Sequence, residues 1–579
     1  MEYRGNIASP GIAFGKSFVF KPYIPRAEQR SLAPEEVEQE LEMLACACSK
    51  AREELSAIIG RLSIAEPDQA DIFAAHQSIL DDVELLEEIR QDITVNLHCA
   101  AWATRKVYHE FSALLQEVDD PHLSERASDM EDVCNRILRC ADGVAEVTLS
   151  SLPEPCVVVA VELFPSDTVL MDASKILGLI TEQGGITSHT AIIARAYGIP
   201  TLLGVKQATQ LLPTGTGLVL DALEGKVITD ADDTTMEHYT ALREYELQKR
   251  EIAATYLEKP AFTRDGVRID VEANLGSAAP SALAAADYTD GVGLFRTEFL
   301  YMEASQLPDE QIQYQAYRAV LEAFENRPVV LRTLDIGGDK TLSYKTLPRE
   351  ENPFLGKRAI RLCLDEPDLF RTQLRAALRA SACGNLWLMF PMISGLDELR
   401  AAKQAVMEAK AELDREGLPY DPEIKLGVMI EIPSAALIAD LLAKEVDFAS
   451  IGTNDLIQYL TAADRLNSEV SQYYQTFHPA VFRLIQTVAD AFRSGGKDLC
   501  VCGELGGNPA GAAALIGLGL RRLSMSPSSV AEIKHLIANL ALTEAEEAGR
   551  KVLTMSTASE IEAYLKLFVS EKIKAEQKV

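Results

Sequence analysis

The chain has ten cysteines but no CxxC pair, and its closest cysteine spacings are Cys46/Cys48 and Cys500/Cys502. Neither spacing is typical of a structural zinc site or of a disulfide framework. The N-terminal residues Met1–Asn6 carry charges and no apolar signal core, and no apolar run approaches the length that crosses a bilayer. We therefore expect a protein of the reducing cytoplasm that is not inserted in a membrane.

Basic residues are scarce relative to acidic ones. The chain has 56 lysines and arginines against 87 aspartates and glutamates, a formal net charge of −31. This charge disfavours nucleic acid and anionic membrane as partners, and an anionic substrate would need a local arginine cluster. With 579 residues, 47% of them hydrophobic, the chain can form several cores, and the length indicates about two to four domains.

The hydrophobic pattern changes along the chain and predicts an α/β multidomain protein. Residues 33–142 have apolar residues three and four apart among many carboxylates, which indicates a four-helix unit inserted into an α/β domain. The charged segment after Thr235 is interpreted as a linker, although a packed surface helix would give the same pattern. We predict an α/β domain over 1–20 and 145–230, a helical subdomain over 21–144, a linker helix over 231–260 and a barrel over 261–579.

Eight candidate strands, each followed by a helical pattern, occupy the C-terminal part of the chain. This repeat predicts a (βα)8 barrel of the TIM type, in which chemistry takes place at the C-terminal strand ends. Polar residues follow several of these strands, so an active site is expected there. The candidate strands are Val267–Asn274, Gly291–Arg296, Val329–Asp335, Leu386–Pro391, Lys425–Glu431, Phe448–Gly452, Leu499–Gly503 and Arg522–Ser526.

A lone histidine, His189, lies where a glycine turn leads into an amphipathic helix. Gly184 and Gly185 interrupt a buried strand, and Thr187 or Ser188 can cap the following helix. Backbone N–H groups at that helix start would face an anion attached to the imidazole, and a neutral imidazole can carry a phosphoryl group. A core or capping histidine is the alternative reading for any lone histidine.

The chain resembles the family of phosphoenolpyruvate (PEP)-utilising enzymes, which contains enzyme I of the bacterial PEP:sugar phosphotransferase system, PEP synthase and pyruvate phosphate dikinase. The resemblance implies transfer of phosphate from PEP to His189, a histidine domain that moves to the barrel, Mg²⁺ as cofactor and a homodimer. The matching segments follow the family's order and are Ala8–Ala13, Gly184–Arg195, Gly293–Leu300, Arg332–Lys340, Glu351–Gly356, Gly452–Leu456 and Cys502–Leu505.

The resemblance also implies roles for residues of the barrel. Arginine forks suit a transferring phosphoryl group. The residues implied at the phosphate are Arg296, Arg332 and Arg465, with Arg358 a nearby candidate and Asn454 against the phosphate. For a single arginine, a surface ion pair is the alternative.

The remaining implied residues hold the metal and move protons. Glu431 and Asp455 would bind Mg²⁺, which proteins hold with few carboxylates, leaving positions to substrate and water. Cys502 would protonate the enolate of pyruvate; strand alternation puts Cys500 on the same face, so the resemblance alone selects Cys502. Thr168 would orient the ring of His189.

The interpretation we adopt is a PEP-protein phosphotransferase that resembles enzyme I, and three alternatives to it are open at this point. In enzyme I the helical insertion binds the small phosphocarrier protein HPr, and an acidic face around residues 71–88 would complement a basic carrier, although a solvated helix face explains those carboxylates equally well. Ile186 stands where many sugar-pathway members have a basic residue, so a paralogue with a dedicated carrier is an alternative. A synthase or dikinase is disfavoured because no Gly-rich phosphate loop precedes Cys156. A regulatory phosphoprotein without turnover is a further alternative.

Overall fold

The computed structural model describes residues 1–21, 27–65, 67–117, 121–144, 149, 152, 154–163, 167, 171–184, 189–302, 304, 306–337, 344, 350–465, 467 and 470–574. The chain forms two compact units, Met1–Gln248 and Lys249–Val579. The boundary falls inside the helix Asp233–Ala254, within the segment predicted as a linker. The finer division into four segments stays a prediction.

The helical part of the first unit contains five helices in its described residues, so the prediction of four helices is wrong. They are α1 (Val37–Ala65), α2 (Pro67–Leu80), α3 (Val83–Thr94), α4 (Ala100–Glu117) and α5 (Pro121–Ala141). Between α2 and α3, the Asp82 carboxylate accepts hydrogen bonds from the backbone of Glu84 and Leu85 and starts a new helix. Buried side chains such as Leu55, Phe73, Ile89 and Tyr108 form a core of their own.

The predicted acidic face is divided by the same cap. Asp82 is used as the N-cap of α3, and Asp81 accepts a hydrogen bond from Nε of Arg52 at 2.9 Å. Glu84, Glu87 and Glu88 on α3 remain exposed. The side chain of Asp71 lies outside the described residues.

An eight-stranded sheet forms the α/β part of the first unit. Its strands are β1 (Glu2–Arg4), β2 (Asn6–Ser9), β3 (Ile12–Val19), β4 (Cys156–Ala160), β5 (Ile176–Thr181), β6 (Thr201–Leu203), β7 (Gly217–Asp221) and β8 (Lys226–Thr229). They lie in the order β1-β8-β7-β3-β4-β5-β6-β2, with β3 to β6 parallel. Helices α6 (His189–Tyr197), α7 (Ala208–Leu211) and α8 (Asp233–Ala254) follow β5, β6 and β8. The two central strands of the sheet, β3 and β4, therefore come from either side of the helical insertion in the chain.

The second unit contains a closed barrel of eight parallel strands, which confirms the predicted fold class. The strands, in barrel order, are β9 (Asp270–Leu275), β10 (Val292–Arg296), β11 (Val329–Arg332), β12 (Leu386–Phe390), β13 (Lys425–Ile430), β14 (Phe448–Ile451), β15 (Asp498–Val501) and β16 (Arg522–Met525). Each lies within about two to three residues of its predicted bounds, as expected for boundaries read from sequence.

Helices surround the barrel on its outside. They are α9 (Pro280–Leu283), α10 (Phe299–Met302), α11 (Glu310–Phe324), α12 (Ile360–Asp365), α13 (Pro367–Ser381), α14 (Leu396–Glu416), α15 (Pro433–Leu437), α16 (Ala439–Leu442), α17 (Thr453–Thr461), α18 (Pro479–Ser494), α19 (Glu504–Gly507), α20 (Pro509–Gly517), α21 (Val530–Ala538), α22 (Leu542–Val552) and α23 (Ala558–Lys574). Short 3₁₀ turns are Pro34–Glu36, Ala173–Lys175, Ala284–Asp287, Pro353–Leu355, Ser471–Tyr473 and Pro527–Ser529.

Two apolar cores stabilise the barrel. The larger one lies between strands and helices, and a smaller cluster fills the interior with Leu294, Val330, Trp387, Met389, Met429, Phe448 and Cys502. The interior is thus packed, and polar chemistry is confined to its ends. Among the helices of the described chain, none combines the length and apolar character needed to cross a membrane.

A buried lysine fastens the start of the barrel unit. Lys534 on α21 is 4% exposed, and its ammonium donates to the carbonyl oxygens of Leu257 at 2.8 Å, Lys259 at 2.8 Å and Tyr288 at 2.7 Å. Burial lowers its pKa. Three hydrogen bonds compensate for the loss of hydration of the charge.

We predict that Lys534→Met lowers the free energy of unfolding by about 3 kcal/mol, because three carbonyls would lose a charged donor. Lys566→Met is the control, since Lys566 is 67% exposed and, within the described part of the chain, pairs with Glu562 alone on the same helix; its effect should stay below about 0.5 kcal/mol. Urea denaturation measures both. Equal effects of the two substitutions would contradict the structural role of Lys534.

Candidate active site

A buried cluster of arginines and carboxylates closes the C-terminal mouth of the barrel. Arg332 ends β11 and is 5% exposed; one terminal nitrogen donates to Glu298 at 2.6 Å and the other lies 2.9 Å from Asp335. Arg358 is 1% exposed and donates to both oxygens of Asp335, at 2.9 and 3.1 Å. Asp335 therefore joins the two guanidinium groups.

These ion pairs outweigh the cost of burial for both arginines. Burial alone would lower the pKa of Arg332, but Glu298 and Asp335 raise it well above its usual range. Burial also opposes the charge of Arg358, and Asp335 and Asp455 raise its pKa in the same way. Both guanidinium groups therefore stay charged. The Nε of Arg332 has no hydrogen-bond partner among the described residues and remains available to an anion.

Arg296, at the end of β10, differs from the other two. Its side chain is exposed in the mouth, and no described residue forms a hydrogen bond or an ion pair with its guanidinium. Desolvation by the surrounding protein and repulsion from Arg332 lower its pKa. An anion held here would relieve that repulsion.

Two carboxylates face the same mouth from neighbouring elements. Glu431 directly follows β13 and is 1% exposed, and Asp455 lies in the first turn of α17 and is 7% exposed. One oxygen of each, Oε2 of Glu431 and Oδ1 of Asp455, has no hydrogen-bond partner among the described residues. Buried carboxylate oxygens without donors are suited to a cation.

The environment of Glu431 also favours a cation. Burial, Asp455 and Asp335 raise the pKa of Glu431 to about 8, although Arg332 and Arg358 oppose the shift. Its other oxygen, Oε1, accepts a hydrogen bond of 2.6 Å from the backbone N–H of Met392. Met392 has φ +56°, a left-handed conformation unusual for a residue with a side chain. The loop after β12 is therefore strained where it fixes Glu431.

Arg465 and Asn454 lie around Asp455. Arg465 Nη1 and Arg358 Nη1 are each 3.6 Å from Oδ1 of Asp455. The amide oxygen of Asn454 accepts from the backbone N–H of Glu504 at 3.0 Å, which ties α17 to the residues after β15. The structure thus brings together, in one unit, all the residues predicted at the phosphate and the metal.

Cys500 lies on β15 and Cys502 directly follows that strand, and the two thiols have different surroundings. Cys500 lies 3.5 Å from Oε2 of Glu272, beside the ion pair of Glu272 with Arg522. Cys502 follows the strand end and lies on the side of Glu431. Burial raises the pKa of the Cys502 thiol to about 11. At neutral pH this thiol carries its proton and can act as an acid.

His189 begins helix α6 in the first unit, as the sequence predicts for the helix start. The side chain of His189, all of Thr168 and the predicted capping residues Thr187 and Ser188 lie outside the described residues. Thr190, one residue further on, is buried, and its hydroxyl donates to the carbonyl oxygen of Leu163 at 3.3 Å. The helix start is therefore held against the segment that follows β4.

Sequence reasoning gave no role to three residues of the cluster. Glu298 and Asp335 lie within recognised segments, but only the structure shows that they neutralise Arg332 and Arg358. Tyr459 accepts a hydrogen bond from Arg358 at 3.3 Å. The sequence could have indicated this position, because Tyr459 lies four residues after Asp455 and residues at that spacing share a face of a helix.

Comparisons with known proteins cover nearly all of the chain. Three family models match: PEP-utilising enzyme, N-terminal, over residues 4–126; its mobile domain over 152–225; and its PEP-binding domain over 250–542. Proteins named phosphoenolpyruvate-protein phosphotransferase are similar throughout: that of Geobacillus stearothermophilus is 44% identical over 564 residues, 97% of each chain. Those of Haemophilus influenzae and Bacillus subtilis are 42% and 41% identical and cover 98% of this chain and 99% of their own.

The chain belongs to the family of PEP-utilising enzymes. The predicted family is therefore confirmed. In a PEP-utilising enzyme the barrel mouth must accept a phosphate and a carboxylate, and the charges found here meet both requirements. Arg296 and Nε of Arg332 have no hydrogen-bond partner among the described residues and can donate to oxyanions, while Glu431 and Asp455 each have a buried oxygen that suits a cation.

Arg296 and Arg358 should behave differently on substitution, because one has no partner among the described residues and the other neutralises buried carboxylates. We predict that Arg296→Ala lowers kcat/KM for PEP by roughly 10³–10⁵, the range for an arginine that stabilises a transferring phosphoryl group, with little change in unfolding free energy. Arg358→Ala leaves Asp335 and Asp455 less compensated and should cost about 3–5 kcal/mol of stability.

Steady-state kinetics and chemical denaturation of both variants separate the two roles. Arg361→Ala serves as the control, because Arg361 donates only to the carbonyl oxygens of Leu355 and Gly356. A large loss of stability in Arg296→Ala, or none in Arg358→Ala, would show that the two arginines have been assigned the wrong way round.

Proposed function

We propose that this PEP-utilising enzyme acts as enzyme I of a phosphotransferase system. His189 receives the phosphoryl group of PEP in the barrel and passes it to a histidine of the phosphocarrier protein HPr, and pyruvate is released. One observation carries the proposal: the barrel mouth combines arginine nitrogens and carboxylate oxygens that form no hydrogen bond among the described residues with a buried thiol that keeps its proton.

The class of activity is confirmed. The chain is a phosphoenolpyruvate-protein phosphotransferase, a transferase, as are relatives that match it over 97–99% of both lengths. A paralogue with a dedicated carrier stays an alternative within this class, whereas a synthase or dikinase is not the activity of these relatives. The roles of individual residues, given next, are proposals.

The arginines hold the phosphate end of PEP. Arg296 and Arg332 bind the oxygens of the transferring phosphoryl group. Asn454 and Arg465 bind the same phosphoryl group from the side of α17. Arg358 is engaged by Asp335, so its proposed part is to hold Arg332 in place through that shared carboxylate. Fixed cations stabilise the charge of a loose phosphoryl transition state without reorganising.

Glu431 and Asp455 would hold Mg²⁺, because one buried oxygen of each accepts no hydrogen bond among the described residues and such oxygens fit a hard cation. A bound Mg²⁺ would supply Lewis-acid stabilisation of the anionic substrate oxygens. Because burial and Asp455 raise the pKa of Glu431 to about 8, a proton must leave this carboxyl when a cation binds. The backbone N–H of Met392 donates to Oε1 of Glu431, so Oε2 is the oxygen available to the cation.

Cys502 completes the reaction by protonating carbon. Transfer of phosphorus from the enol oxygen to the imidazole nitrogen of His189 breaks the P–O bond and leaves the enolate of pyruvate. The S–H bond of Cys502 then breaks, a C–H bond forms at the methylene carbon, and the thiolate later regains a proton from solvent. The high pKa of this buried thiol keeps it protonated until the enolate forms.

The carrier, the oligomeric state and the location complete the proposal. Exposed Glu84, Glu87 and Glu88 on α3 offer an acidic surface for a basic carrier such as HPr. Thr168 would orient the ring of His189. A homodimer through the barrel unit and a cytoplasmic location stay predictions from resemblance and composition.

We predict that PEP labelled with ³²P transfers label to the full chain as an acid-labile adduct and onward to HPr, and that His189→Ala abolishes both steps. The imidazole is the proposed acceptor, whereas the PEP site lies in the other unit, so His189→Ala should still bind PEP with Mg²⁺ present. Gel autoradiography and calorimetry measure the two properties. Labelling that persists in His189→Ala would place the acceptor elsewhere.

Substitution of the proposed metal ligands and substitution of the proposed proton donor should have different effects. Glu431→Ala or Asp455→Ala should weaken Mg²⁺ binding, measured by calorimetry with a PEP analogue, by at least the ~10–100-fold that loss of a group supporting a metal ligand costs. Cys502→Ala should lower turnover by roughly 10²–10⁴, the usual contribution of an acid or base, with Mg²⁺ affinity unchanged. Unchanged Mg²⁺ affinity in both carboxylate variants would refute the ligand assignment.

A further inference from the structure

The peptide of Cys502 is held at both ends by neighbouring parts of the barrel. Its N–H donates to the carbonyl oxygen of Ile451 on β14 at 3.1 Å, and its thiol lies 3.7 Å from that same oxygen. Its own carbonyl oxygen accepts a hydrogen bond of 2.9 Å from Nδ2 of Asn274. The direction of the Cys502 side chain therefore depends on a residue that is 228 positions away in the chain.

Asn274 reaches Cys502 across an intervening strand. It lies on β9 and Cys502 follows β15, while β16 runs between the two strands. Ser524 on β16 is fully buried, and its hydroxyl donates to Oδ1 of Asn274 at 2.6 Å. An asparagine amide can adopt two orientations that differ only in the exchange of O and N. The Cys502 carbonyl can only accept, so the NH₂ group must face it, and the Ser524 hydroxyl then donates to the remaining amide oxygen and holds the amide in place.

We propose that Asn274 and Ser524 form a positioning pair that sets the direction from which Cys502 delivers its proton. The inference rests on the proposed role of Cys502 as the proton donor. Neither residue needs to touch the reacting atoms, so neither is a catalytic residue. Their effect passes through the Cys502 carbonyl, whose loss of a donor would let the peptide after β15 rotate and move the thiol.

This role makes a prediction that a purely structural role does not. Phosphoryl transfer from PEP to His189 precedes protonation of the enolate and does not use the thiol proton. Loss of the pair should therefore leave the first transfer intact and impair only the formation of pyruvate. An enolate that the thiol no longer reaches is protonated by water, which can approach both faces of the double bond.

The test uses the full chain with Mg²⁺, HPr and PEP that carries hydrogen isotopes stereospecifically at its methylene carbon. The substitutions are Asn274→Ala and Ser524→Ala, with Thr289→Val as the control, since the one partner that its buried hydroxyl has among the described residues is the Ala285 carbonyl in the same unit. Single-turnover labelling of His189, kcat, KM and the configuration of the pyruvate methyl group are measured. Thermal unfolding verifies that each variant is folded.

We expect both substitutions to lower kcat by about 10–100-fold, as small displacements of a reacting group do, with KM for PEP and the first labelling step unchanged. The methyl group should lose its single configuration, whereas Thr289→Val should match the parent. If one variant fails to fold, the other decides: Ser524→Ala removes only the hydrogen bond to Asn274, whereas Asn274→Ala removes that bond and the one to the Cys502 carbonyl. Folded variants with parental kcat and configuration would overturn the inference, and so would a parallel loss of the labelling step.

Cys502→Ala, measured alongside, separates this inference from the proposed function. If Cys502→Ala itself leaves kcat and configuration unchanged, the assignment of the proton donor is wrong and the inference falls with it. If Cys502→Ala impairs both while Asn274→Ala and Ser524→Ala do not, the proposed function stands and only the positioning pair is refuted.

Discussion

The buried carboxylate of Asp335 is the interaction on which the rest of the barrel mouth depends. It is 1% exposed and binds both Arg332 and Arg358, which are themselves almost fully buried. Two guanidinium groups so close together would repel each other and would be costly to bury without a shared anion. With the Asp335 carboxylate between them, Arg332 can keep its Nε without a hydrogen-bond partner among the described residues and available to an anion.

Burial raises the pKa of two acids of the site, Glu431 and Cys502, and this shift serves a different purpose at each. It raises the pKa of Glu431 to about 8 and that of the Cys502 thiol to about 11, because desolvation disfavours the charged form of each. Glu431 then needs a cation to remain charged at neutral pH, whereas Cys502 keeps the proton it is proposed to deliver. One poorly hydrated environment thus suits both a metal ligand and a general acid.

Order of the site also depends on contacts that lie outside it. Met392 holds a strained conformation to direct its N–H at Glu431, and Asn274 with Ser524 holds the Cys502 peptide from two strands away. Such contacts come from loops and from non-adjacent strands, so they bring together residues distant in the chain. The barrel acts as a rigid frame for the site, since its interior is filled by packed apolar side chains.

The sequence by itself determined the barrel, because eight apolar runs buried on both faces and separated by helical patterns have few other folds available. It also determined the family and the candidate residues, through short segments in a fixed order. Tertiary structure alone decided that Asp335 and Glu298 neutralise the arginines, that Cys500 and not Cys502 lies beside the ion pair of Glu272 with Arg522, and that a cap at Asp82 starts α3. Ion pairs and depth of burial depend on contacts between residues that are far apart in the chain. The periodicity of a sequence indicates only which face of a helix or strand a residue occupies.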